Sequence, residues 1–330
     1  MDAMQSSNDA DLVNGADPRR HPEDAGSPRA VRERIAGQVV GRERELDLIL
    51  AAVAAGRDLV LEGPPGTSKS TLLHAITAEW QIPLVFVEGN ADLTPTRLVG
   101  YHNPARVLRE DYSPENFVDG PLLEAMRSGG FLYIEEFNRA PEDTLNTLLT
   151  AMAERRISVP RVGTIRALDT FRVIASMNPY DNIGTTRLSS SIHDRLCRLS
   201  IDYQDEQAEQ AIVRLRAAVP LGGLSSDLVT RLAGDAVALT RMTRTDDDIR
   251  QGSSVRGAID LALVATELLR IRQLDDPSDP AYPETIYDAL IVALSGRIQL
   301  DQTLETTTEA ELRRLWEDYF ILNPAVAAPG

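Results

Sequence analysis

One lysine, Lys69, stands among 34 basic residues, and the other 33 are arginines. It lies in Leu61-Glu62-Gly63-Pro64-Pro65-Gly66-Thr67-Ser68-Lys69-Ser70-Thr71, between an apolar strand pattern and a helical one. Glycines ahead of a lysine and a hydroxyl residue, in that context, are what a phosphate-binding loop requires. Backbone N–H groups of residues 66–71 would converge on a β-phosphate at the helix N-terminus, Lys69 would bridge the β- and γ-phosphates, and Ser70 would ligate Mg²⁺. A compact ammonium fits two phosphates in a tight loop, where the wider guanidinium does not. Composition and motif therefore point to the same residue. The predicted ATP-binding set is Gly63, Pro64, Pro65, Gly66, Thr67, Ser68, Lys69, Ser70 and Thr71. Ser68 stands where glycine is usual, so the backbone there is expected to keep a negative φ.

Phe131-Leu132-Tyr133-Ile134-Glu135-Glu136 is an apolar strand ending in two carboxylates. They would emerge at the carboxyl edge of a parallel sheet, where α/β proteins bind ligands. Consecutive strand residues face opposite ways, so Glu135 is assigned to Mg²⁺ and Glu136 to the water that attacks the γ-phosphate. The extra methylene of Glu135 over aspartate leaves room for a water between carboxylate and metal. Ser176-Met177-Asn178-Pro179 ends the next strand and would bring Asn178 to the same edge; a plain turn before Pro179 accounts for it equally well. Arg195 and Arg256 carry no signal by themselves among 33 arginines.

These groups need a scaffold of alternating short strands and helices. Apolar runs at 58–61, 84–87, 131–134, 171–175 and 198–201 predict buried strands, and the helix-length segments between them predict an α/β domain with a parallel sheet. Residues 141–154 read as a helix, and 156–168 as a hairpin turning at Arg161-Val162-Gly163. Helical patterns at 206–217, 226–239, 254–272, 283–298 and 309–319 predict a second, all-helical domain. The expected division is a disordered arm at 1–30, rich in Asp, Asn, Ser, Pro and Gly, an α/β nucleotide-binding domain at 31–203, and a helical lid at 204–330.

The chain of 330 residues carries a net charge of −16 and one cysteine, Cys197. A single thiol excludes an intrachain disulfide scaffold or a cysteine-rich metal site and fits a reducing, cytoplasmic setting. No run of about 18 apolar residues predicts a membrane span, and no apolar stretch behind a basic start predicts export. The acidic excess opposes general nucleic-acid binding. Half of it falls at 275–318, where eleven acidic residues meet three arginines, as a solvated acidic face would.

Taken together, the motifs resemble an AAA+ ATPase, and more narrowly the MoxR family, over about Val39 to Leu300. The resemblance rests on Val40-Gly41-Arg42-Glu43, the Gly63 to Ser70 loop, Glu135-Glu136-Phe137-Asn138-Arg139-Ala140-Pro141, Ser176-Met177-Asn178-Pro179, and Gly184-Thr185-Thr186-Arg187-Leu188 leading to Asp194-Arg195-Leu196. It departs from the family at Glu135, usually aspartate, and at Leu196, usually phenylalanine. The resemblance implies Asn178 as sensor 1, Arg195 as an arginine finger offered to a neighbouring subunit, Arg256 as sensor 2, and Val40 and Gly41 beside adenine. It further implies insertions at 98–118 and at the 156–168 hairpin, a hexameric ring, and a partner with a von Willebrand factor A domain. The expected function is Mg²⁺-dependent ATP hydrolysis that remodels or activates a partner complex, possible metalloenzyme maturation included. The competing expectations are a nucleic-acid motor, which the acidity opposes, and an ATP-binding scaffold, which Glu136 and Arg195 oppose. A small-molecule kinase would have no use for the lid arginine and the finger.

Overall fold

The computed structural model describes residues 26–110, 112–179, 185, 188–217, 224–301 and 303–323. Its strands are β1 Leu59–Glu62, β2 Leu84–Glu88, β3 Gly100–His102, β4 Phe117–Asp119, β5 Phe131–Glu135, β6 Arg156–Val159, β7 Gly163–Arg166, β8 Arg172–Met177, β9 Cys197–Ser200, β10 Ile249–Gln251 and β11 Gln299–Leu300. Five of them form one sheet in the order β2-β5-β8-β1-β9, and every pairing in it is parallel. Both faces are apolar because strand residues alternate. Leu59, Leu61, Phe131, Tyr133 and Ile174 pack with the helices Pro28–Ile35, Glu43–Ala54 and Lys69–Trp80. Val60, Leu132, Ile134, Val173 and Ala175 pack on the opposite face with Leu122, Met126, Leu145 and Leu148.

A third apolar cluster is built by the helices Ser226–Thr245, Val255–Arg272, Tyr282–Leu294 and Thr308–Phe320, with Val213 from the helix Glu206–Arg216. Among the described residues, this C-terminal region has no strands but the antiparallel pair β10–β11, which the expectation of an all-helical lid does not include. The helix from Ser226 also runs on to Thr245, beyond its predicted end at 239. Its last turns bury Thr240 and Thr243, whose hydroxyls an apolar periodicity does not register; Thr243 Oγ1 accepts from Ser253 N at 3.0 Å.

The N-terminal boundary differs as well. Residues 1–25 of the predicted arm lie outside the described residues, but 26–30 do not follow the expectation of disorder. A helix begins at Pro28, capped by Ser27 Oγ, which accepts from Ala30 N at 3.3 Å, and Val31 and Ile35 are fully buried. Proline at the first helical position behind a serine cap is a helix start. The 156–168 hairpin forms as β6 with β7, its ladder ending at Arg166. The segment after Leu98 forms a second small ladder, β3 with β4.

Candidate active site

β1 runs straight into the phosphate loop, and the loop is shaped by what it must avoid. A Cβ on Gly63 would meet the Ile201 carbonyl oxygen at 1.9 Å, and one on Gly66 would meet Ser254 Oγ at 2.4 Å. Glycine is therefore required at both points, against β9's continuation in one case and against the lid in the other. Ser68 contradicts the expectation of a negative φ. It sits in the left-handed region at φ 67°, ψ 18°, as the residue that turns the loop into the helix Lys69–Trp80. A β-carbon there costs about 1 to 2 kcal/mol, which the packed loop sustains.

Lys69 Nζ donates to the carbonyls of Gly63 at 3.0 Å and Pro64 at 2.8 Å and to Thr67 Oγ1 at 3.1 Å. Burial pushes its pKa down to about 8, against the opposing pull of Glu135 and Glu136. Ser70 Oγ donates to Glu135 Oε1 at 3.1 Å and lies 3.0 Å from the Tyr133 hydroxyl. These are hard oxygen donors beside a phosphate loop, the donor set that suits Mg²⁺ when phosphate oxygens and waters complete its shell.

The two carboxylates diverge by a route other than strand alternation. β5 ends at Glu135, and Glu136 leaves it in the left-handed region at φ 54°. The Glu136 carboxylate turns to Arg139, whose Nε lies 3.2 Å from Oε2. Asn138 Nδ2 donates to the Asn178 carbonyl at 3.3 Å, tying the turn after β5 to the end of β8.

One cavity of about 1060 Å³ gathers residues 63–71 with Glu135, Glu136, Asn178 and Arg256, so most of the predicted site residues share it. Val40 and Gly41 do not line it. They lie behind the loop, where Gln204 Nε2 reaches both the Val40 carbonyl and Ser68 Oγ at 3.4 Å, and Arg42, buried against Gln204 Oε1, closes that side. Arg195 is exposed at the other end of the strands, in a second cavity with Asp58 and Arg172. Its NH1 donates to the Ser191 carbonyl at 3.0 Å. The Gly184 to Arg187 motif lies outside the described residues except for Thr185.

Sequence reasoning missed several groups on the cavity wall. Arg139 falls within the Glu135 to Pro141 motif, which assigns it no role. Arg244 stacks on Tyr203 at 4.0 Å and pairs with buried Glu209 at 2.7 Å; nothing sets it apart from the other arginines in sequence. Behind the wall, Tyr133 reads in sequence as an apolar strand residue, yet its hydroxyl lies 3.0 Å from Ser70 Oγ.

Residues 58–196 match the AAA domain (dynein-related subfamily). The gas vesicle ATPase GvpN of Ancylobacter aquaticus is 27% identical over 325 residues, covering 92% of this chain and 86% of that protein. The uncharacterised protein YojN of Bacillus subtilis is 27% identical over 264 residues, 76% of this chain and 84% of that one. Among solved structures, a variant of RuvB from Thermotoga maritima superposes with a TM-score of 0.52 at 18% identity, covering 78% of this chain and 71% of that chain. That likeness is one of fold: a P-loop AAA+ sheet followed by a helical region. The AAA domain carried on this fold makes the chain an ATP hydrolase.

Proposed function

We propose that the chain is a MoxR-like, Mg²⁺-dependent ATPase that assembles into a ring, as a hexamer in the cytoplasm, and uses hydrolysis to remodel or activate a partner protein complex. One observation supports it above the others: loop, strand-end carboxylates and lid arginine line a single cavity, while Arg195 stands exposed at the far end of the strands. Lys69 and the N–H groups of residues 66–71 hold the β- and γ-phosphates. Ser70 and Glu135 would hold magnesium, which when bound would offset the charge on the transferring phosphoryl group. Glu136, whose carboxylate pairs with Arg139 at 3.2 Å, orients the attacking water and takes its proton. Asn178 contacts the γ-phosphate or that water, and Arg256 brings the lid down on the phosphates. Val40 and Gly41 flank adenine from behind the loop.

Arg195 cannot serve the nucleotide of its own chain from the opposite edge, so it completes a neighbour's site and meets charge as it develops. Arg195→Ala is expected to bind ATP normally and to lose about 10³- to 10⁵-fold in turnover. Mixing it with Glu136→Gln pairs a sound pocket with a sound finger, and turnover should return at the mixed interfaces. If subunits exchange and no activity returns, the ring reading fails.

The partner proposed from family resemblance carries a von Willebrand factor A domain. The match along 92% of the chain to an ATPase named for gas vesicles supports a second reading, in which the partner is a gas-vesicle component. ATP-loaded Glu136→Gln should retain one purified candidate and not the other. Stimulation of turnover by DNA instead would favour a nucleic-acid motor.

A further inference from the structure

Tyr133 lies in β5 two residues before Glu135, and its side chain is fully buried. A tyrosine so placed must find partners for its hydroxyl. The hydroxyl lies 3.0 Å from Ser70 Oγ, 3.0 Å from Ser176 Oγ and 3.4 Å from Glu135 Oε1. Three elements thus meet at one oxygen: the first turn of the phosphate-loop helix, β5, and β8 two residues before Asn178. The Phe86 ring of edge strand β2 packs on the Tyr133 ring at 5.8 Å and steadies it.

The chemistry of that junction is specific. A phenol has one proton to give and lone pairs to accept with. A serine that ligates a cation through its oxygen must still send its proton to an acceptor, and Tyr133 and Glu135 are the acceptors within reach of Ser70. Phenylalanine would fill the same space with neither function. It would leave Ser70 with Glu135 alone and would remove the link from Ser70 to Ser176.

We infer that Tyr133 is a positioning residue for the divalent cation: its hydroxyl sets the Ser70 and Glu135 oxygens in place and joins them to the strand that carries Asn178. The inference rests on the magnesium assignment proposed above and adds the group that holds that shell together. The strand-end carboxylates do not imply it, since that motif asks only for an apolar residue at this position, and the phosphate loop does not extend to it.

Tyr133→Phe removes a single oxygen and keeps the ring. ATP affinity of the full chain is measured by isothermal titration, once in excess EDTA and then across a Mg²⁺ series, with the melting temperature as a control. The half-saturating Mg²⁺ concentration should rise about ten- to a hundredfold, as when a metal ligand loses its outer partner, while affinity in EDTA is unchanged. Ser176→Ala, which removes the anchor on β8, should move the Mg²⁺ requirement in the same direction by less. The double variant should add little to Tyr133→Phe, because the two act through one contact. A parental Mg²⁺ requirement in Tyr133→Phe overturns the inference. So does a parallel loss of affinity in EDTA, since the hydroxyl would then shape the loop as a whole. If the parent itself binds ATP equally with and without Mg²⁺, the magnesium assignment falls and takes the inference with it.

Discussion

Lys69 carries an unusual burden for a side chain whose ordinary pKa is 10.5, because burial among loop carbonyls brings it down to about 8. The free protein therefore binds fewer protons at this site than the unfolded chain does between those two values, and its stability should rise with pH across that interval. Phosphates restore the ammonium. ATP binding should then take up protons at about pH 9 and weaken as pH rises through about 8. Calorimetry in buffers of different ionisation enthalpy checks this, and equal heats would count against it. Lys69→Arg keeps a charge but not a compact one, and is expected to lose ATP affinity by more than about tenfold, or 1.4 kcal/mol. The carboxylates divide differently. Glu136→Gln should bind ATP as the parent does while turnover falls about 10²- to 10⁴-fold, the usual contribution of a general base. Glu135→Gln should instead raise the Mg²⁺ requirement, since its Oε1 is bonded to Ser70. Full turnover in Glu136→Gln would move the base to another residue.

At the scale of elements, the lid is a separate apolar cluster, and a charged knot joins its first helix to the cavity wall. Glu209, from the helix Glu206–Arg216, is 1% exposed and receives Arg241 at 3.1 Å and Arg244 at 2.7 Å. Arg244 also donates from Nε to the Ser253 carbonyl at 2.6 Å, just ahead of the helix that carries Arg256. Removing one partner of a buried pair leaves the others uncompensated and costs about 3 to 5 kcal/mol. Glu209→Ala should therefore loosen the lid first. A separate low-temperature transition in calorimetry is expected, with ATP affinity reduced and the sheet's own transition retained. A single unshifted transition would show the knot to be incidental.

Two consequences belong to the whole molecule. The first is that the proposed ring would divide each catalytic site between chains, which the mixing of Arg195→Ala with Glu136→Gln addresses. The second concerns where the folded body begins. Trp80 Nε1 reaches the Gly26 carbonyl at 3.4 Å, and the helix from Pro28 buries Val31 and Ile35 against the core. A chain starting at Gly26 should keep parental turnover and melting temperature. One starting at Val31 loses the Ser27 cap and the first helical turn, and should be less stable by at least about 1 kcal/mol. Identical melting curves for the two truncations would remove that helix from the account.

What the sequence determined by itself is what local chemistry encodes. The phosphate loop was legible because glycine, lysine and serine at that spacing answer to one ligand, and the sheet because buried parallel strands are unbroken apolar runs. The end of β5 was legible as two carboxylates at a ligand-binding edge. Their separation was not, because Glu136 is turned by a left-handed backbone position rather than by the pleat. Ser68 likewise adopts a positive φ that its residue type disfavours, since loop closure against the helix outweighs a local preference. Tyr133, Arg139, Arg244 and Gln204 became visible only in three dimensions. Each acquires its place from a residue between 3 and 164 positions away, and a side chain's local sequence carries no record of which distant atom it will meet. Tertiary structure alone decided that Ser70, Tyr133, Glu135 and Ser176 share one hydrogen-bonded junction, because parallel pairing of β5 with β8 sets Tyr133 opposite Ile174 and aligns the strand ends beside the loop.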